Sequence, residues 1–460
     1  MKKFDLLLPI FLVLYSNITY SQQSIDAYIK DSVNNVFKQI ASSTNSLVSP
    51  VDLDFYPDQT TRPNELWILN QGTNATGGST EIVFDANKST RTYKYVKDGN
   101  AWHFMAMASA IAFGNVEWAT SADILDANRT ATGKYTGPTL WPGDLSVYGI
   151  VGNPSTASLN GSHLSMIHQS PYGKGIAFER DLVFWVLDGY EGNIKRYDFG
   201  IPHDPGGDDH SGGNVRVFPD FKFVKHASLP SHIVIDAEKK YLYGCDPVDK
   251  RIFRIDITTG SNKGTAVKVN SESLLSYRKY TGLVIENIIT SGLTSPVGID
   301  VYGERLLVTD NGTDQIIIYD VSNNFSEVGR INLKYAVSPD PMGIKIGPDG
   351  KIYFVDKLNK GAYMIENSNV IPLAIKSLKP DPNQFSLIPN PASTQISLHI
   401  NNLASDSKIK IINAIGQEVL SKQLNTQDNF NLDIQTLLKG IYYCQLYSNN
   451  KVYTQKFIKI

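Results

Sequence analysis

Residues Gly175–Asp198 read GIAFERDLVFWVLDGYEGNIKRYD, and three later stretches follow the same plan. They are HIVIDAEKKYLYGCDPVDKRIFRID from His232, GIDVYGERLLVTDNGTDQIIIYD from Gly298 and GIKIGPDGKIYFVDKLNKGAYMIE from Gly343. Each closes its second apolar run on an aspartate: Asp188, Asp246, Asp310 and Asp356. Ten residues later each reaches another acid: Asp198, Asp256, Asp320 and Glu366. Spacing kept at two internal landmarks marks a repeated unit. Within it an apolar strand meets a turn, clearest at Gly347-Pro348-Asp349-Gly350, then a second strand, a polar turn and a third strand. Short antiparallel units of this kind hide their faces against their neighbours, as the blades of a β-propeller do. The landmark aspartates enter tight turns, where a carboxylate accepts backbone N–H groups. Their expected role is therefore structural.

Two fainter copies lie upstream, at Glu65–Gly72 (ELWILNQG) and Ser109–Asp123 (SAIAFGNVEWATSAD), which brings the total to six. The units starting at Ala110, Gly175, His232, Gly298 and Gly343 are 65, 57, 66 and 45 residues apart, so the longer ones carry inserted loops. Such loops are where a rigid scaffold holds its function. The expected fold class is all-β: a six-bladed β-propeller over residues 46–375, followed by a small Ig-like antiparallel β-sandwich. Ahead of the propeller, Ile25, Ile29, Val33, Phe37 and Ile40 fall at helical spacing, so 22–45 reads as an N-terminal helical segment.

Both ends of the chain read as addresses. Lys2 and Lys3 precede the apolar run Leu6–Leu14, and Thr19-Tyr20-Ser21 places small residues before Gln22. This is the layout of a signal peptide over 1–21; the apolar run is shorter than the roughly 20 residues that span a bilayer. At the other end, 376–384 (KSLKPDPNQ) reads as a linker. Residues 385–460 alternate apolar and polar positions, with Gly416 and Gly440 at turns, as a small sandwich requires.

Composition narrows the partners. Lys and Arg number 43 against 45 Asp and Glu, a formal net charge of −2, which argues against nucleic acid. The two cysteines, Cys245 and Cys444, exclude a disulfide framework and a cysteine-based zinc ribbon. No GxSxG, P-loop or dinucleotide fingerprint occurs. Seven of the eight histidines fall between His103 and His232. The densest cluster is HDPGGDDH, with His203, Asp204, Asp208, Asp209 and His210 on one loop; His163 and His168 stand just upstream. Carboxylates suit calcium and imidazoles suit zinc or other transition ions, so a calcium or other divalent metal site is one reading. A solvated Gly-rich loop is the other. The aromatic insertion Tyr135–Tyr148 is either core or a ligand-binding face. Three of the clear units open with Gly, which leaves room at the propeller axis. The fourth opens with His232, able to ligate metal or move protons.

The repeats resemble NHL repeats and, among enzymes, those of the peptidyl-hydroxyglycine amidating lyase family, over about Glu65 to Pro372. In that family an Asp-Gly-Tyr turn carries a tyrosine important for activity, and Asp188-Gly189-Tyr190 matches it. The family also holds zinc in its channel through one His from each of three blades, each following a Pro. Leu229-Pro230-Ser231-His232 approximates that pattern, shifted by one, while Pro296-Val297-Gly298 and Pro341-Met342-Gly343 have no His. The resemblance therefore implies the fold, with Tyr190 and His232 as candidate catalytic residues, and does not carry the lyase activity over. The tail resembles the type A C-terminal sorting domain of the type IX secretion system. Pro389-Asn390-Pro391, Asn413–Gln417 with Gly416, Leu432-Asp433 followed by Gly440-Ile441-Tyr442, and the last apolar strand carry that likeness. It implies the type IX machinery as a partner, periplasmic transit after signal-peptide cleavage, and attachment to surface lipopolysaccharide once the tail is processed. Two functions stay open for this expected monomer: a secreted or surface propeller binding an extracellular ligand through its face, or an extracellular lyase or hydrolase with a metal in its channel.

Overall fold

The computed structural model describes residues 25–150, 160–368, 385–388, 392–400, 407–413, 418–424, 429–448 and 451–459. The chain divides into two compact units, Met1–Leu373 and Ala374–Ile460. The expected signal peptide, the 376–384 linker, Pro389, Asn390, Pro391 and Gly416 lie outside the described residues.

In the first unit, six sheets follow one another along the chain. Blade 1 has strands Pro50–Phe55, Leu66–Thr73, Gly77–Phe84 and Thr92–Val96. Blade 2 has Ala108–Phe113, Trp118–Ala122, Thr139–Trp141 and Ser165–Met166. Blade 3 has Gly173–Arg180, Val183–Asp188, Asn193–Asp198 and Asn214–Phe218. Blade 4 has Ile233–Asp236, Tyr241–Asp246, Arg251–Asp256 and Val284–Ile289. Blade 5 has Pro296–Tyr302, Arg305–Asp310, Gln315–Asp320 and Ser326–Asn332. Blade 6 has Pro341–Ile346, Ile352–Asp356 and Gly361–Glu366. The first strand of each blade touches the first strand of the next, and blade 6 returns to blade 1, so these inner strands close a ring. Apolar side chains interleave between adjacent blades, for example Trp67, Ile82, Ile111 and Trp118 between blades 1 and 2.

The N-terminal segment departs from the helical expectation. Among the described residues of this segment only 25–30 are α-helical, and Val33 lies exposed within a 3₁₀ turn at Ser32–Asn34. Val36–Ala41 is a strand, paired antiparallel with Gly361–Glu366 as the fourth strand of blade 6. The propeller therefore begins ten residues before position 46, at Val36. Without this strand the last blade would present an open row of backbone groups, and pairing across that edge overrides a short local period. The preceding helical turn is anchored by Tyr28, which donates to the Ile365 carbonyl at 3.0 Å. Asp26 takes a two-pronged ion pair from Arg305, at 2.7 and 3.0 Å.

The repeated aspartates serve the turns, as their placement suggested. All four end second strands and are fully buried. Asp188 accepts from the Tyr190 N–H at 2.8 Å, Asp246 from Asp249 at 3.0 Å and Asp356 from Asn359 at 2.9 Å. Asp310 accepts from Thr294, Ser295 and Gly312.

The opening glycines have another purpose than leaving space. A Cβ at Gly175 would lie 2.1 Å from the Ser231 carbonyl oxygen, one at Gly298 2.2 Å from that of Met342, and one at Gly343 2.3 Å from Asp52 Oδ1. Each gap is already filled by the inner strand of the next blade.

Blade 4 carries a long insertion whose hairpin, Ser261–Thr265 and Ser276–Thr281, leaves its own blade. It adds to the outer edge of blade 3, pairing in parallel with Asn214–Phe218. In the second unit, Phe385–Ile388, Gln395–Ile400 and Asn429–Asp433 form one antiparallel sheet. Lys408–Asn413, Glu418–Gln423, Gly440–Ser448 and Lys451–Lys459 form another. Ile396, Leu398, Ile409, Ile411, Cys444 and Phe457 share its core.

Gly298→Ala and Gly343→Ala should each destabilise the protein by about 1–3 kcal/mol, the usual cost of overpacking. Gly212→Ala, where a Cβ meets nothing nearer than 3.7 Å, is the control. Thermal unfolding checks this: equal melting temperatures for all three variants would mean that the hub is not close-packed.

Candidate functional site

Polar side chains come together at the hub, at the mouth where the inner strands begin, and at the outer edge of blade 2.

At the hub, carboxylates of one blade cap the backbone of the next. Asp52 accepts from Ile111 N–H at 2.9 Å, Asp54 from Phe113 at 2.8 Å and Asp300 from Ile346 at 2.7 Å. Lys345 stands 3.5 Å from Asp54 and 3.8 Å from Asp300. Burial opposes its charge, but these acids hold its pKa well above the ordinary lysine value. Burial pushes Asp300 up to about 6 and raises Asp52 as well. His232 spans from blade 4 towards blades 1 and 2. Its Nε2 donates to the Ser109 carbonyl at 3.1 Å, and its Nδ1 lies 3.5 Å from Asp52 Oδ1.

Tyr190 is placed apart from His232. Its side chain is 41% exposed and lies under Lys134, whose Nζ is 4.7 Å from the ring centroid. The turn beneath it rests on a buried ion pair: Lys195 Nζ is 2.6 Å from Asp188 Oδ2 and 2.7 Å from Glu191 Oε2. Lys195 also donates to the Gln169 carbonyl. Burial disfavours its charge, yet Asp188, Tyr197, Tyr277 and Glu191 hold its pKa well above the ordinary value.

The mouth is a cavity of about 630 Å³. Ser49, Ser228, Leu229, Ser295 and Asp340 come from segments that lead into inner strands of blades 1, 4, 5 and 6, and Met342 from the blade 6 inner strand itself. Asn311, Lys357 and Lys360 come from the turns after second strands. Lys357 donates to Gln71 Oε1 at 2.8 Å, and burial lowers its pKa. Fully buried Lys174 pairs with Asp123. His226 at the rim is lowered by burial and by Lys174.

The outer edge of blade 2 gathers five of the chain's eight histidines: His103, His163, His168, His203 and His210. His163 and His168 flank the two-residue strand Ser165–Met166. His203 and His210 sit on the blade 3 loop after Asp198, and Glu272 arrives on the blade 4 insertion. His163, His203 and His210 each offer a ligand atom within 4.8 Å of the others, and so do His168, His210 and Glu272. His163 Nδ1 donates to the Asn160 carbonyl at 2.9 Å and His203 Nδ1 to that of Asp204 at 2.7 Å. A carbonyl only accepts, so these rings carry their proton on Nδ1 and an open lone pair on Nε2. The Nε2 atoms of His163, His203 and His210 are buried without a hydrogen-bond partner. An unpaired buried acceptor costs about 1–3 kcal/mol.

Burial favours the neutral form of His163, His203 and His103. Burial, reinforced by His203 and His210, lowers His163 to about 2, and burial with His168 lowers His103 to about 4. Burial alone would raise Glu272, but the hydrogen bond from His168, at 2.7 Å, and the nearby His210 ring hold it at about 2. Phe104 stacks on His163 with centroids 3.5 Å apart. Of the loop carboxylates expected as ligands, Asp204, Asp208 and Asp209 are exposed. Asp209 accepts from its own turn, at Ser211 N–H. The structure thus joins His168, His203 and His210 but leaves the three aspartates on the rim. His163 and Glu272 complete the cluster. His163 stands five residues before His168 in the sequence; no local pattern singles out Glu272, which lies 104 residues from His168.

Residues 386–460 match the family described as the secretion system C-terminal sorting domain. The tail therefore marks the chain for export through the type IX system, to the outer surface or beyond. No curated protein matches the chain. Among solved structures, an auxiliary nutrient binding protein from Bacteroides ovatus ATCC 8483 is 12% identical, with a TM-score of 0.43 over 72% of this chain and 76% of that one. A structural genomics protein of unknown function from Bacteroides thetaiotaomicron VPI-5482 is 10% identical, with a TM-score of 0.42 over 72% and 76%. A streptogramin B lyase is 12% identical, with a TM-score of 0.39 over 73% and 98%. At this distance the likenesses carry no functional argument. Among the described residues, no helix is long and apolar enough to cross a membrane.

Lys195→Met strands Asp188 in the interior and should cost about 3–5 kcal/mol, as breaking a buried pair does. Tyr190→Phe, at a half-exposed ring, should change stability by less than about 0.5 kcal/mol. Denaturant unfolding of both variants checks this; a Lys195→Met protein as stable as the wild type would show that the pair does not support the turn.

Proposed function

We propose that this protein is a secreted or surface-held propeller that binds a small, polar, anionic extracellular ligand in its mouth. The observation that carries the reading is the 630 Å³ cavity at the start of the inner strands, where loops of blades 1, 4, 5 and 6 converge. It has the size of a small-molecule site and a few convergent polar groups. Lys357 and Lys360 against Asp340 give the lining a positive balance, which favours a carboxylate or phosphate. Lys357, partly desolvated, would gain most from an anion.

A metal-dependent lyase or hydrolase with its site in the channel is less well supported. His232 is engaged with Ser109 and Asp52, and Tyr190 lies elsewhere. Among the described residues, neither group of three metal-capable side chains includes His232. In this reading the signal peptide is cleaved before Gln22, the tail is removed after outer-membrane passage, and the propeller is attached to lipopolysaccharide or released.

Two measurements test the reading. In the producing cell, removing residues 385–460 should retain the chain inside the envelope; its normal appearance outside would overturn the export route. For the mouth, calorimetry with glucuronate, galacturonate and glucose 6-phosphate should give affinities at least about tenfold above glucose, or about 1.4 kcal/mol. Lys357→Met should erase that difference. Equal affinity for charged and neutral sugars, or none at millimolar concentration, would overturn the anionic ligand.

A further inference from the structure

We propose that His163, His203 and His210 form a three-imidazole site for a divalent ion of the zinc class at the outer edge of blade 2. The site lies apart from the mouth and does not depend on what the mouth binds.

Geometry comes first. The three ligand atoms lie within 4.8 Å of one another. Nitrogen ligands around a tetrahedral zinc, at 2.0–2.1 Å, stand about 3.3 Å apart. The rings need to close by at most about 1.5 Å, a side-chain movement at two of them, since His203 and His210 ride on a half-buried loop. His163 is the fixed member, fully buried and stacked on Phe104.

The second argument is the orientation of each ring. A metal-ligating imidazole commonly gives its other nitrogen to a carbonyl or carboxylate, which fixes tautomer and direction. Here Nδ1 of His163 goes to the Asn160 carbonyl and Nδ1 of His203 to that of Asp204. Nδ1 of His210 faces Glu272 Oε1 at 3.7 Å, and His168 holds the same oxygen at 2.7 Å. That leaves the three Nε2 atoms, all buried and unpartnered, to share one ion. Side chains from two blades and an insertion of a third would not converge in this way to cover apolar surface.

The donor set selects the metal. Three imidazole nitrogens suit zinc, cobalt, nickel or copper and disfavour calcium and magnesium, which take oxygen ligands. Three protein ligands leave the fourth tetrahedral position to water or to an oxygen donor, the open arrangement of a reactive rather than a closed structural zinc. Asp208 and Asp209, exposed on the same loop, supply negative charge along the approach without acting as ligands.

The test uses the full chain, stripped with a chelator and titrated with Zn²⁺ against a chromophoric competitor, then with Co²⁺. One equivalent of Zn²⁺ should bind, and Co²⁺ should develop the visible absorption of a tetrahedral nitrogen site. His163→Ala and His203→Ala should each weaken Zn²⁺ at least about a hundredfold, and Glu272→Gln about 10–100-fold, as loss of an orienting partner does. Asp208→Asn and Asp209→Asn should stay within about threefold of the wild type, since rim charges tune encounter more than affinity. His203→Ala, on the surface loop, keeps the test decisive if the buried His163→Ala does not fold. No Zn²⁺ bound at micromolar concentration, a preference for Ca²⁺, or Zn²⁺ binding that survives His203→Ala but is lost in His168→Ala would each overturn the assignment.

Discussion

Six strands brought to a common axis cannot pair with one another as a ladder, yet their backbone groups still need partners. The hub meets this constraint with side chains that reach across blade boundaries. Asp52 and Asp54 bind the inner strand of blade 2 from blade 1, and Asp300 binds that of blade 6 from blade 5. Thr309 of blade 5 donates to the Met342 carbonyl of blade 6 at 2.5 Å, and His232 reaches from blade 4 to Ser109 of blade 2. Glycine at positions 175, 298 and 343 lets the neighbouring strands approach closely enough for these bonds to form. Closure of the outer rim then falls to Val36–Ala41, which completes blade 6 and joins the two ends of the ring.

A hub held this way has little freedom to do chemistry. Its carboxylates are engaged with backbone N–H groups, and Lys345 with two of those carboxylates. Substituting any of them for function would disturb an interblade bond. Variation is tolerated where the blades do not depend on it: in the segments entering the inner strands, which make the mouth, and in the insertions of blades 2, 3 and 4, which make the histidine cluster. The separation is also electrostatic. The mouth has a positive balance, whereas the cluster is a pocket of imidazoles rimmed by exposed acids.

Much of the fold was legible because a propeller writes its period into the sequence. The interval from Asp188 to Asp198, repeated in three further units, reports strand, turn and strand directly, and the aspartates do what turn chemistry predicts. The tail was legible for the same reason, being a set of alternating strands that matches a sorting-domain family. What failed was the reading of 22–45, where local spacing mimicked a helix. The partner that turns Val36–Ala41 into a strand lies more than 300 residues away at Gly361–Glu366, beyond any local window. The opening glycines misled in a related way. A missing side chain is the same letter whether the gap is empty or filled by another blade.

The candidate site shows the boundary between local and long-range information most clearly. HDPGGDDH announced five metal-capable side chains, and spacing could not say which of them turn inward. Folding sorts them by partner. The aspartates, short and strongly hydrated, remain at the solvent face, where Asp209 caps its own turn. The histidines carry apolar rings that pack against Phe104 and against one another, so burial draws them in and leaves a polar nitrogen of each at the centre. Burial of the rings and the approach of their ligand nitrogens to one another are thus one event. An ion that bound there would favour the folded state over any state in which the insertions of blades 2, 3 and 4 are apart, by the general linkage of binding to stability. These insertions, the least repetitive parts of the propeller, would then be tied together by the ligand they hold, as the N-terminal strand ties the ring.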